Sequence, residues 1–218
     1  MTELNAEQAR RAIVEHTRRL AESAAAAGPD AAVPTTPQWT ITDLVEHVGQ
    51  TQHWVAEIIE RRITDPTQLP TQMAVLPTDP REWQAWLSQS AQRVASACSD
   101  DALDAPVFNA AGDGRPGTRF WMSSVLNETV VHGFDAANAA DRPADIDPDI
   151  AAALISNHLA MLTSPRGRCC GPSPPTPSGA PGRRCSGWPP TPRTTRAPGS
   201  SNGGLTGQRG GPEPSRPM

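Results

Sequence analysis

Apolar residues recur at helical spacing along most of the first 164 positions, and turn-forming residues divide this pattern into five segments. Residues three and four apart share one face of an α-helix, so each segment predicts an amphipathic helix. We expect the helices over residues 6–27, from Thr40 to near Thr64, from Asp79 to the loop at 99, over 118–140 and over 148–162. The four longest suggest an antiparallel four-helix bundle, and the predicted fold class is all-α.

Capping residues indicate where three of these helices begin. Asn5 and Thr40 are each followed, three residues later, by a side chain that can complete a capping box. Pro80 occupies a first helical position directly after the acidic Asp79, which is a common helix start. The turn-rich loop at 99–117 is long for a small helical domain, and loops of that length often frame a site.

The helical pattern ends after Ser164, where the composition changes abruptly. Residues 165–218 contain 13 prolines and 11 glycines, and Leu205 is their only Leu, Ile, Val or Phe. Such a segment has too little apolar surface to offset its ordering entropy, so we predict a folded domain at 1–164 and a disordered Pro/Gly/Arg-rich tail. A natural Pro-rich linker is one explanation. A frameshift is the interpretation we favour, because GC-rich DNA translated out of frame yields Arg, Pro, Gly and Ser.

Charge is divided along the chain in the same way. Residues 1–164 carry a net charge of −11, whereas 165–218 carry +7. The acidic folded part argues against a nucleic-acid partner. No segment has the apolar length of a membrane span, and the N-terminus lacks a signal-peptide pattern, so we expect a cytoplasmic protein with no membrane partner. No Cys-x-x-Cys pair is present, which argues against a zinc knuckle or a redox motif.

The fourth helix carries an acid and an imidazole one turn apart. Glu128 and His132 lie about 40° apart on one helix face and can share one divalent ion if a third ligand is supplied from elsewhere. His47, at the inner edge of the second helix, is the candidate for that ligand. His53 lies on the polar arc of the same helix and is expected to face water. Asp135 either orients His132 from outside the ligand set or pairs with a helix neighbour or an arginine.

A metal-free interpretation of the same spacing is also open. Glu128 and His132 can hydrogen-bond to each other at the bundle surface. Their helix is apolar nearly all round, however, so we expect it to be the most buried, where an unpaired carboxylate is costly. His16 is expected to be tucked into the first helix's face or at its rim, and His158 to face solvent. Four tryptophans are expected in the core: Trp54, Trp83, Trp86 and Trp121.

Two stretches of the chain resemble a known family. Residues 39–49 (WTITDLVEHVG) and 127–137 (NETVVHGFDAA) are similar to the metal-binding domain of mycothiol-dependent maleylpyruvate isomerases, which belong to the DinB-like four-helix bundles. The resemblance covers residues 5–163 and implies a divalent metal, usually zinc, held by His47, Glu128 and His132. Family members continue into a smaller α/β domain that helps to close the active site. Here the tail stands in its place, so the resemblance implies metal binding more firmly than catalysis.

The resemblance also implies a chemistry. Two imidazoles and one carboxylate leave a position on tetrahedral zinc open to water or a thiol, and a coordinated thiol is deprotonated at neutral pH. In the family, the mycothiol thiolate adds to a double bond, and rotation converts cis to trans; related bundles transfer the thiol instead. The implied partners are a low-molecular-weight thiol and a small electrophilic substrate. The alternatives are a non-catalytic metal-binding bundle and a metal-free structural or interaction bundle.

Overall fold

The computed structural model describes residues 4–163 of the 218-residue chain, and the disorder predicted for 165–218 lies outside the described residues. Within this part the helices are α1 (Ala6–Ala27), α2 (Ile41–Glu60), α3 (Trp83–Ala97), α4 (Gly117–Ala139) and α5 (Pro148–Thr163). Two short strands lie between α1 and α2, β1 (Ala32–Val33) and β2 (Thr36–Thr40). Single turns of 3₁₀ helix cover Pro66–Gln68, Pro80–Glu82 and Asp100–Ala102.

The four long helices pack around a shared interior. α1 packs against α3 and α4, and α2 packs against the same two helices. The predicted helical class is therefore confirmed. Burying a large apolar side chain contributes about 1.5–3 kcal/mol, so the fully buried residues dominate the stability of the interior. They include Ile13, Leu20, Ile58, Leu87 and Trp121. Trp54 and Trp83 are also buried, as predicted, while Trp86 is only partly buried.

A hairpin of two antiparallel strands is an element that the all-α prediction did not include. Val33 of β1 pairs with Thr36 of β2, and the Val33 side chain is fully buried. The segment is short, and Pro34 and Pro37 interrupt it, so it shows no alternation of apolar and polar residues from which a strand could be predicted. β2 runs directly into α2, with Thr40 as the N-cap. The hairpin therefore fixes where α2 begins.

Both predicted capping boxes are present. The Asn5 side chain accepts a hydrogen bond from the Gln8 backbone N–H at 2.8 Å, and the Gln8 side chain accepts one from the Asn5 N–H at 3.0 Å. At the start of α2, the Asp43 carboxylate accepts from the Thr40 N–H at 2.8 Å. An N-cap of this kind contributes about 1 kcal/mol. The second box also sets the orientation of α2, on which His47 lies two turns further along.

α2 ends at Glu60, which corrects the prediction of an end near Thr64. Arg62 adopts a left-handed backbone conformation with φ 49°, and its N–H donates to the Ile59 carbonyl. The next N–H reaches back five residues, completing a Schellman motif. Because the left-handed position is held by arginine instead of glycine, the sequence contains no signal for this end.

The third helix begins with a turn of 3₁₀ helix. Asp79, the predicted cap, accepts a hydrogen bond from the Arg81 backbone N–H at 3.0 Å, and Pro80 occupies the first helical position. The α-helix itself starts at Trp83, a few residues later than the cap predicts. The predicted start signal is therefore present, but it belongs to the 3₁₀ turn.

α4 runs from Gly117 to Ala139, one residue earlier at each end than predicted. A Cβ at Gly117 would lie 2.1 Å from the carbonyl oxygen of Val107, so only glycine permits this close approach of the loop. The expectation that α4 is the most buried helix is wrong: 12 of its 23 residues are buried, compared with 13 of 20 in α2. Val131 is 47% exposed and Phe134 is 40% exposed.

A buried polar network links the four long helices. The Gln52 side chain of α2 is fully buried, and its amide nitrogen donates to the hydroxyls of Thr17 at 2.8 Å and Thr129 at 3.1 Å. Its amide oxygen accepts a hydrogen bond from the Ser90 hydroxyl at 2.6 Å. The partners come from α1, α4 and α3, so the network fixes all four helices relative to one another. It thereby places α2 beside α4.

Among residues 4–163, no helix combines the length and apolarity needed to cross a membrane.

Candidate metal centre

His47, Glu128 and His132 lie together where α2 faces α4. Nε2 of His47 lies 3.2 Å from Oε2 of Glu128, and Nε2 of His132 lies 3.4 Å from the same oxygen. One ligand atom from each residue lies within 4.8 Å of the others. His47 is 3% exposed, while Glu128 and His132 are partly buried. The three residues selected from the sequence thus form one cluster.

The spacing of these atoms fits a divalent ion. Zinc bonds to imidazole nitrogen and carboxylate oxygen are about 2.0–2.2 Å long, which puts neighbouring ligand atoms of a tetrahedral site about 3.3 Å apart. The two separations from Glu128, 3.2 and 3.4 Å, agree with that value, and all three ligand atoms lie within 4.8 Å of one another. An ion could therefore be accommodated with small side-chain adjustments, and one tetrahedral position would stay open.

Asp135 contacts the outer nitrogen of His132. Its Oδ2 lies 2.9 Å from Nδ1 of His132, and its Oδ1 accepts a hydrogen bond from the Thr35 hydroxyl at 2.6 Å. Of the interpretations left open for Asp135, the contact with His132 is the one present. A proton on Nδ1 that is shared with Asp135 leaves the lone pair of Nε2 free for an ion. Thr35 lies in the hairpin turn, so the hairpin supports the site from outside.

Trp39, at the end of β2, lies against both imidazoles. Its ring centroid is 5.1 Å from that of His47 and 5.8 Å from that of His132, with the second pair stacked at 30°. The two imidazoles meet edge to face at 5.1 Å. Trp39 therefore forms a wall of the site. No helical periodicity could assign it this role, because the side chain reaches the site from the unpredicted hairpin.

The charges of the cluster stabilise one another. Burial opposes ionisation of Glu128, but hydrogen bonds with His132 and His47 outweigh burial and lower its pKa to about 2. Burial likewise opposes protonation of His132, but hydrogen bonds with Asp135 and Glu128 raise its pKa to about 9. Without a metal, a proton on His132 therefore supplies the positive charge that the two carboxylates require.

The other histidines lie apart from this cluster. The expectation that His53 faces water is wrong: the side chain is half-buried, with Nδ1 3.4 Å from the Arg93 guanidinium and its ring 5.7 Å from that of Trp86. Side chains of α3 cover the polar arc of α2, which a helical wheel of α2 alone does not reveal. His16 is buried at the α1 face and His158 is exposed, both as expected.

A cavity of about 230 Å³ reaches Glu128 from the side of α5. Its wall includes Phe120, Asn127 and Asn157, so apolar and amide groups both face the space. A small molecule could approach the cluster by this route.

The chain matches the family model described as Mycothiol maleylpyruvate isomerase N-terminal domain over residues 10–137, more than half of its length. The matched range contains His47, Glu128, His132 and Asp135. No curated protein and no solved structure matches the chain. The resemblance stated from the two sequence stretches is confirmed by the family match. The chain therefore belongs to the mycothiol maleylpyruvate isomerase N-terminal domain family.

Proposed function

We propose that this chain binds one divalent metal ion, preferably zinc, through Nε2 of His47, Oε2 of Glu128 and Nε2 of His132, and that the ion activates a low-molecular-weight thiol. The observation that carries the proposal is the clustering of these ligand atoms within 4.8 Å of one another. Two imidazoles and one carboxylate form a ligand set used by catalytic zinc, which keeps one position open. Membership of a family named for mycothiol supports the choice of thiol.

The surrounding residues have separate parts in this proposal. Asp135 keeps the His132 ring in the orientation and tautomer that direct Nε2 inwards. Trp39 covers the two imidazoles and limits the access of water from the hairpin side. The cavity beside Glu128 leaves the α5 side open to substrate. When bound, the ion lowers the pKa of a thiol at its open position, so that the thiolate is present at neutral pH.

The proposed reaction is addition of the mycothiol thiolate to an activated double bond. A sulfur electron pair forms the carbon–sulfur bond, and the π electrons move onto the conjugated carbonyl group of the substrate. Rotation about the former double bond, which is now a carbon–carbon single bond, followed by departure of the thiolate, gives cis–trans isomerisation. Retention of the sulfur, with protonation of the enolate by solvent, gives thiol transfer. The family name supports a substrate resembling maleylpyruvate.

The proposal extends to the setting of the domain. We interpret the four packed helices as a DinB-like antiparallel bundle within a domain at 1–164. The cytoplasm keeps thiols reduced, so we place the reaction there.

Zinc-loaded full-length protein, mixed with mycothiol and maleylpyruvate, tests this function. We expect formation of the trans isomer that requires both zinc and mycothiol and is lost in His132→Ala. His53→Gln is the control, since His53 is outside the cluster and should leave the rate unchanged. Zinc uptake without thiol-dependent turnover would contradict the catalytic part and favour a non-catalytic metal-binding bundle. Absence of metal uptake would contradict the whole proposal.

A further inference from the structure

A second cavity, of about 400 Å³, lies between α1 and α4. Its volume falls within the range of small-molecule sites, roughly 300–1,000 Å³. Val130, Gly133 and Phe134 form its α4 wall. At about 100° per residue, these positions lie nearly opposite Glu128 and His132 around the helix axis. The thickness of α4 thus separates this cavity from the metal cluster.

Two buried polar side chains of α1 line the cavity without a partner. His16 is 7% exposed and Ser23 is 8% exposed, and neither side chain makes a hydrogen bond or ion pair with another described residue. The polar atoms of both side chains are not sealed in the protein interior, so they can bond to a molecule in the cavity. Two such groups in one cavity wall point to an occupant that bonds to them. Burial, followed by the charge of Arg19, lowers the pKa of His16, so its neutral ring offers both a donor and an acceptor.

The charged side chains around the cavity leave one guanidinium unopposed. Arg19 pairs with an acidic neighbour on α1, and Glu22 pairs with Arg18. Arg142 donates to the Glu22 backbone carbonyl at 3.3 Å and pairs with no carboxylate among residues 4–163. Asp145 also lines the cavity and, like Arg142, is exposed to solvent, but the two side chains form no ion pair with each other. Arg142 therefore remains available to an anionic group.

The polar groups lie at two ends of the cavity. His16 and Ser23 are seven residues apart, so they lie on one side of α1 and about 10 Å apart along its axis. The hydrogen bond from Arg142 to Glu22 holds the guanidinium near the Ser23 end. Phe134 and other apolar side chains of α4 line the space. An occupant that satisfies both ends is elongated, with an apolar middle.

We propose that this cavity binds a small, elongated carboxylic acid whose carboxylate contacts Arg142 and Ser23 and whose far end hydrogen-bonds to His16. The site shares no side chain with the metal cluster, and its occupancy does not require a metal.

The probe is 3-(4-hydroxyphenyl)propionate, titrated into the isotopically labelled full-length protein and followed by NMR at the His16 imidazole and the Gly133 amide. We expect saturable shifts with a dissociation constant below about 1 mM. The corresponding amide, which lacks the charge, should bind at least about tenfold more weakly, and so should the acid to Arg142→Gln. Arg142 is exposed, so its replacement does not threaten the fold. The control Arg81→Gln, a surface arginine outside this cavity, should bind like the wild type.

Three results would overturn the proposal. The first is the absence of saturable shifts at His16 and Gly133. The second is equal binding of the acid and its amide, or equal binding by wild type and Arg142→Gln. The third is binding of inorganic phosphate, at matched ionic strength, that is as tight as binding of the acid. The site would then recognise any anion. Preference for the acid over phosphate supports the carboxylate assignment, and weaker binding of 3-phenylpropionate supports the contact with His16.

Discussion

Asp135 lies one step outside the three clustered side chains, and its carboxylate joins His132 of α4 to Thr35 of the hairpin turn. The geometry of the cluster therefore depends on a residue that is not itself a proposed ligand. His132 is held from both sides, by Asp135 at Nδ1 and by Glu128 at Nε2. At this scale, changes of one atom or one proton should be visible in metal binding.

Replacing Asp135 by asparagine should weaken zinc binding about 10–100-fold, as the loss of an outer hydrogen-bond partner does at other metal sites. The amide is nearly the same size as the carboxylate, so the fold should be retained. Competition titration with a chromophoric chelator measures the change. The control is Asp141→Asn, an exposed carboxylate whose left-handed backbone, φ 52°, asparagine tolerates. Equal zinc affinities in the two variants would contradict the proposal that Asp135 orients the His132 ring.

Zinc binding should release a proton. In the metal-free protein the pKa of His132 is raised from 6.5 to about 9, so the ring is protonated at neutral pH and zinc must displace that proton. The apparent affinity should therefore fall about tenfold per pH unit below pH 9. The same shift stabilises the metal-free fold below pH 6.5, and this stabilisation is lost as the pH rises through about 9. Calorimetry in buffers of different ionisation enthalpy measures the release; a zinc affinity that does not vary with pH would contradict it.

At the scale of elements, α2 and α3 approach closely at Gly49. A Cβ at that position would lie 2.0 Å from the Trp86 ring, so glycine is required for the two helices to pack as they do. Gly133 of α4 differs, because a Cβ there would meet nothing within 4 Å. The two glycines occupy similar helical backbones and differ in the space beside them.

Gly49→Ala should destabilise the protein by about 1–3 kcal/mol, because the Trp86 ring must move, and this outweighs the roughly 1 kcal/mol gained from helix propensity. Gly133→Ala is the matched control and should stabilise by up to about 1 kcal/mol. The free energy of unfolding from urea titrations measures both effects. Stabilisation of the same size in both variants would contradict the close packing at Gly49.

At this scale, the sequence predicts those elements whose signals lie within a few neighbouring residues. Helical periodicity and the capping boxes at Asn5 and Thr40 lie within a few residues, and these predictions are confirmed. The hairpin has no such periodicity, so its strands and the placement of Trp39 were not predicted. The end of α2 was missed because Arg62 takes a conformation that usually indicates glycine.

At the scale of the whole molecule, the metal cluster requires α2 and α4 to lie side by side. His47 and Glu128 are 81 residues apart, and no periodic pattern within either helix predicts their contact. The grouping of His47 with Glu128 and His132 came instead from the resemblance of two stretches to a known family. In the structure, the buried network centred on Gln52 links the same two helices.

Gln52→Ala should destabilise the protein by about 2–4 kcal/mol, because it leaves a cavity and removes the partner of buried hydroxyls. Thr129 is the most affected, since the amide of Gln52 is its hydrogen-bond donor. The control is Gln92→Ala on the exposed face of α3, which should change stability by no more than about 0.5 kcal/mol. Chemical denaturation of both variants measures the difference. If Gln52→Ala lowered the free energy of unfolding as little as the control does, the claim that the network holds the four helices together would be contradicted.

Zinc stoichiometry and affinity, measured on the full-length protein and its histidine variants, test the central claim most directly. We predict one zinc ion per chain, with affinity falling at least about 100-fold in His47→Ala and in His132→Ala but not in His53→Ala. Purified protein that contains no zinc, nickel or manganese and takes up none on titration would contradict the account. So would a His47→Ala variant that binds zinc as tightly as the wild type.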